Sequence, residues 1–131
     1  MNVLGLLAFI TFIVSSLQDQ ELKYGWTGII GGHYYNEKTI PFDSYTTVAG
    51  DDITTNPLFG NNDIEQRWIG NSSATYANNF DITNEEFIAE RILMVFEGVD
   101  TYAKIKINDH VIGTTDNMFR RYIYDVKDFL H

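Results

Sequence analysis

The sequence predicts an all-β fold, a sandwich or partial jelly roll assembled from short strands. Three observations carry this. No segment after Leu17 sustains an apolar stripe at helical spacing. Apolar and polar residues instead alternate in short runs that recur about every ten residues. One hairpin is directly readable: Tyr102-Ala103-Lys104-Ile105-Lys106-Ile107 puts both lysines on one face and Ala103, Ile105 and Ile107 on the other. Asn108-Asp109 then supplies the turn.

Taken in order, Leu22 to Ile30 reads as the first strand of the mature domain, broken by Gly31-Gly32. Asn36-Glu37-Lys38 has the composition of a turn. Asp43 to Asn62 is rich in Asp, Thr, Asn and Gly and is expected to be mostly loop. Thr75 to Ile82 alternates Tyr76, Asn78 and Phe80 as a half-buried strand would. Arg91 to Phe96, with Ile92, Leu93, Met94, Val95 and Phe96 in succession, is the apolar run expected of a central strand buried on both faces. Val111-Ile112-Gly113 begins the return strand of the hairpin. Asp116 to Phe119 is a loop, and Tyr122 to Val126 is the last strand. No internal repeat or Pro/Gly-rich linker marks a second domain after the leader.

The leader is Met1 to Ser16, which contains no charged side chain. Val3 to Val14 is apolar apart from Gly5 and Thr11, and is shorter than the roughly 20 residues a spanning helix needs. It fits the apolar region of a secretory signal, with Val14 and Ser16 at the −3 and −1 positions before Leu17. Domain boundaries follow: residues 1–16 as signal peptide and 17–131 as one domain. Asn71-Ser72-Ser73 is an N-glycosylation triplet, which makes Asn71 a candidate glycan site in the same pathway.

Composition narrows the function. Eighteen acidic and nine basic residues give a formal charge of −9, unsuited to nucleic acid or to a polybasic membrane-surface role. The absence of cysteine excludes a disulfide framework, a thiolate zinc site and a cysteine nucleophile. The chain of 131 residues is too short for a (β/α)₈ enzyme barrel, which takes about 250. His33, His110 and His131 lack the close spacing of a zinc site. Gly28-Ile29-Ile30-Gly31-Gly32 is not a dinucleotide fingerprint, and no serine sits in a G-x-S-x-G elbow. No cofactor or metal is expected.

Two features could still contact a ligand or partner. Tyr24, Trp26, Tyr34, Tyr35, Phe59, Trp68, Tyr76 and Phe119 could offer a sugar-stacking platform, although large aromatics in an all-β domain mostly fill the core. Asp116-Asn117-Met118-Phe119-Arg120-Arg121 combines polar groups, a Met-Phe pair and two arginines. Its two large apolar residues require cover, from the core or from another domain. Adjacent acids such as Asp51-Asp52 and Glu85-Glu86 read as solvated surface rather than as a hydrolytic pair.

Three runs carry a family resemblance. Met94-Val95-Phe96-Glu97-Gly98-Val99-Asp100-Thr101-Tyr102-Ala103, Ile107-Asn108, and Val111 through Val126 closely resemble the N-terminal domain of animal beta-mannosidases, which are family-two glycoside hydrolases. Asn56-Pro57-Leu58-Phe59-Gly60-Asn61-Asn62-Asp63 and Arg67-Trp68-Ile69 look like the loop and strand preceding it, and Trp26 also fits. The resemblance implies a galactose-binding-like jelly roll, incomplete here, which in the family precedes a sandwich domain and a (β/α)₈ barrel. It implies that the full protein hydrolyses terminal, non-reducing β-mannose from mannose-containing oligosaccharides with retention, in the lysosome. The family's two catalytic glutamates lie in the barrel. None of Glu21, Glu37, Glu65, Glu85, Glu86, Glu90 or Glu97 matches them, so no catalytic residue is carried over. In the family the jelly roll packs against the barrel, and the composition of Asp116 to Arg121 makes that loop the candidate for the contact. The alternative is a secreted, non-catalytic carbohydrate-binding or interaction module.

Overall fold

The computed structural model describes residues 10–14, 19–50 and 55–131. Four-stranded, three-stranded and two-stranded antiparallel sheets form two layers around one core. The first sheet holds β1 (Ile10–Val14), β2 (Asp19–Glu21), β6 (Ile92–Phe96) and β9 (Tyr122–Asp125), in the order β2-β1-β6-β9. The opposite layer contains β3 (Trp26–Ile30), β4 (His33–Lys38) and β5 (Ala74–Ala77), in the order β4-β3-β5. Beside these lies the hairpin of β7 (Ala103–Ile107) and β8 (His110–Thr115).

The apolar run at β6 is a central strand, as its composition requires. Ile92, Met94 and Phe96 point into the shared core, while Val95 on the other face is also fully buried. Opposite them, β7 contributes Ala103, Ile105 and Ile107 and leaves Lys104 and Lys106 exposed. Trp26, Phe42 and Val126 complete the centre. Each fully buried large aliphatic side chain there contributes about 1.5–3 kcal/mol. The hairpin turn also matches its sequence: Asn108 and Asp109 have φ of 45° and 67°, the left-handed pair a tight two-residue turn demands.

Ile10–Val14 belongs to the apolar run assigned to a leader, and it pairs along its whole length with β6. Residues 1–9, the proposed cleavage point before Leu17 and the pair Asp51-Asp52 lie outside the described residues.

Four local expectations are corrected. Asn36-Glu37-Lys38 is strand, not turn. The turn is Gly31-Gly32, where φ of 56° and 85° lets Ile30 pair with His33. The expected loop from Asp43 contains helix α1 (Ser44–Ala49). Asp43 caps it by accepting hydrogen bonds from the amides of Tyr45 at 2.8 Å and Thr46 at 3.0 Å. The segment at Arg67-Trp68-Ile69 is helical rather than strand. It forms α3 (Arg67–Gly70), directly after α2 (Asn62–Glu65), and buries Ile69. The strand from Thr75 stops at Ala77, which pairs with Thr27; beyond it, the Asn78 side-chain amide donates to the Tyr24 carbonyl at 2.7 Å. A further one-turn helix, α4 (Asn84–Phe87), lies before β6.

Candidate functional site

The loop Asp116–Arg121 joins β8 to β9 and is organised by one hydroxyl. Tyr122 Oη accepts hydrogen bonds from the amides of Asp116 at 3.0 Å and Asn117 at 2.9 Å. Its own proton faces Asp116 Oδ1 at 3.0 Å and the Asn117 carbonyl at 3.1 Å. Asn117 Oδ1 accepts from the Phe119 amide at 2.9 Å, an Asx-type turn that sets the loop's apex. Arg120 Nη1 reaches Asp116 Oδ1 at 3.1 Å, and Arg121 Nη2 pairs with Glu97 Oε1 at 3.0 Å, just after β6. These ion pairs are solvent-exposed and each contributes about 0–1 kcal/mol.

The polar groups therefore fix the backbone and leave the apolar tip outside. Phe119 is 88 % exposed and Met118 37 % exposed. The core of this domain leaves Phe119 uncovered, whereas most of Met118 is covered within the chain. The result is a braced loop presenting an exposed aromatic ring next to two arginines held in ion pairs, a geometry suited to docking rather than to proton transfer.

The aromatic side chains do not converge. Trp26 donates from its indole to the Leu22 carbonyl at 2.7 Å and packs on Phe42, whose ring centroid lies 4.6 Å from that of Tyr76. Burial pushes the Tyr76 phenol up from its ordinary pKa. Tyr24, Tyr34, Phe59 and Trp68 stay at the surface on separate elements, with Trp68 edge-on to His33. Tyr35 is half-buried on β4.

Carboxylates take structural posts. Glu86 Oε2 accepts from the Thr83 amide at 2.7 Å at the start of α4, and that bond holds its pKa below the ordinary value. The Arg91 guanidinium, 2.9 Å from Asp125, does the same there. Both shifts run opposite to what a general acid needs. His33, His110 and His131 lie on different elements; no cluster of metal-ligating side chains occurs among the described residues. Asn71 is exposed in the turn after α3, where a glycan would meet solvent.

The Tyr122 hub escaped sequence reasoning. The only signal available was an Asp and an Asn six and five positions before a Tyr, a spacing with no specificity of its own.

Comparison with known proteins gives these features a family. Similar proteins include the beta-mannosidases of Rattus norvegicus, 35 % identical over 90 residues, and Bos taurus, 34 % over 88 residues. These matches cover 69 % and 67 % of the chain but 10 % of each relative. Beta-mannosidase B of Emericella nidulans is 30 % identical over 114 residues, which is 83 % of the chain and 13 % of the relative. The chain thus spans about a tenth of the length of the curated relatives it matches. No solved structure matches it. The glycosyl hydrolase 2 galactose-binding domain-like model matches residues 17–131, and with strands predominating in the sheets described above, the chain belongs to that family.

Proposed function

We propose that this chain serves as the N-terminal accessory domain of a beta-mannosidase, an enzyme that removes terminal non-reducing β-mannose from oligosaccharides with retention. Similarity to beta-mannosidases over two thirds of the chain supports the substrate class. The domain itself supplies no reacting carboxylate and is inactive alone. It enters the secretory pathway behind the leader Met1–Ser16, whose cleavage would remove β1 and open the edge of β6, carries a glycan on Asn71 and reaches the lysosome.

Its role within the enzyme is docking. One observation carries this: Phe119 stands 88 % exposed on a loop whose backbone is fully braced. An ordered apolar tip gains free energy only when another surface covers it. The partner is the barrel domain of the same enzyme, and Asp116, Asn117, Met118, Phe119, Arg120 and Arg121 form the contact.

The test is Met118→Ala with Phe119→Ala in the full-length enzyme, assayed on a chromogenic β-mannoside. The expected outcome is a lower melting temperature and lower kcat/KM, with the 131-residue chain alone showing no turnover. Unchanged stability and kinetics would overturn the docking role. Hydrolysis by the chain alone would overturn its accessory status.

A further inference from the structure

Trp68 and Asn71 stand on one face of the same helical turn. α3 carries Trp68 and ends on Asn71 as its cap, where φ of −93° and ψ of −3° keep the backbone helical. The Asn71 amide donates to the Trp68 carbonyl at 3.2 Å, the i to i+3 bond that sets one side chain above the other. Such a pair has β-carbons about 5–6 Å apart, and the later side chain leans back over the earlier one.

Trp68 is held in place without being covered. A β-carbon at Gly31 would fall 2.7 Å from Trp68 Cζ3, so the ring rests on the bare turn between β3 and β4. His33 flanks the indole edge-on at 6.1 Å. The Ser72 hydroxyl donates to the Trp68 carbonyl at 2.7 Å, and the Gly31 amide donates to the Ser73 carbonyl at 3.4 Å. These bonds tie the triplet Asn71-Ser72-Ser73 to Trp68 and to the turn beneath it. Trp68 still keeps 39 % of its surface open, and Asn71 is exposed.

We propose that Trp68 is the seat of the glycan on Asn71, with the first N-acetylglucosamine laying its apolar face on the open indole. This rests on the glycosylation of Asn71 proposed above. In that transfer Asn71 Nδ2 bonds to the sugar's anomeric carbon, a lipid-linked diphosphate departs with the bonding electron pair, and one amide proton is lost. A single exposed ring is too small to capture a free sugar, because sites for free ligands bury most of the ligand's surface. A tethered sugar needs far less, since attachment one turn away holds it at high effective concentration. Its C–H face replaces water on the indole while its hydroxyls stay solvated. Trp68 thus serves as a sugar platform without converging aromatic partners.

The test is hydroxyl-radical footprinting of the full-length enzyme from a glycosylating host, read by mass spectrometry at the peptide holding Trp68. The forms compared are the intact glycoprotein, the same protein trimmed by an endoglycosidase to the first N-acetylglucosamine, and the Asn71→Gln variant. Trp68 should oxidise about threefold or more slowly in both sugar-bearing forms than in the variant, the population ratio that an aromatic contact of ordinary strength gives. Trp26, already buried, should react alike in all of them. Equal rates at Trp68 with the glycan present would overturn the seat and leave the Asn71 glycan standing. Protection lost on trimming would also overturn it, since the outer sugars would then be the shield. A peptide carrying no sugar would overturn both readings.

Discussion

The ring of Tyr124 lies against the α-carbon of Gly113, so close that a β-carbon there would fall 2.2 Å from Tyr124 Cε1. This contact joins β8 of the hairpin to β9 of the large sheet. On its other side, Tyr124 meets the Phe96 ring edge-on at 6.1 Å, and its hydroxyl donates to the Thr114 carbonyl at 3.3 Å. Gly113 is therefore a packing position: any side chain must displace a ring held at two other points. Gly113→Ala should cost about 1–3 kcal/mol by urea denaturation. Combining it with Tyr124→Leu should cost less than the two single changes summed, because the leucine removes the obstructed ring. Strictly additive effects would refute the contact.

Tyr122→Phe removes the hydroxyl that organises residues 116–117. Because the loop is exposed, global stability should fall by only about 1 kcal/mol. The local effect should be larger. Trypsin should cut after Arg120 and Arg121 roughly fivefold to tenfold faster than in the parent. Equal cleavage rates would mean that the two arginine ion pairs hold the loop without Tyr122.

Acid should weaken the domain through two surface carboxylates. The Thr83 amide holds Glu86 below its ordinary pKa of 4.5, and Arg91 holds Asp125 below 3.8. Both groups are depressed in the folded state. Their stabilisation is fully present above the unfolded values and is lost as pH falls through the lower folded ones. Glu86→Gln with Asp125→Asn should therefore flatten the decline in urea midpoint below pH 4.5. An unaltered decline would assign it to other groups.

The parts of the fold legible in the sequence are those with a strong local cause. Ile92–Phe96 announces a buried strand because five consecutive apolar residues leave no solvated face. Asn108-Asp109 announces a turn because these side chains tolerate positive φ. The helices were hidden because each spans only four to six residues, too few for a helical period. Two caps could have found α1 and α4: Asp43 with Thr46, and Thr83 with Glu86. Gly31-Gly32 is legible as a strand break, and its two consecutive glycines fit a tight hairpin turn better than Asn36–Lys38 does. For the candidate loop, composition flagged Met118 and Phe119, but their exposure depends on hydrogen bonds that no residue pattern encodes.

The chain order of the strands also sets a timetable. The hairpin Ala103–Thr115 closes from neighbouring residues, an event of about 1–10 μs. Once formed, it shortens the loop that β6 and β9 must close around it. The β3–β4 hairpin closes as locally, but β3 must still find β5 across residues 39–73, whose described residues carry three short helices. Assembly is thus paced by the first half of the domain, and substitutions between Thr39 and Ser73 will register in the refolding rate more than those in the hairpin Ala103–Thr115.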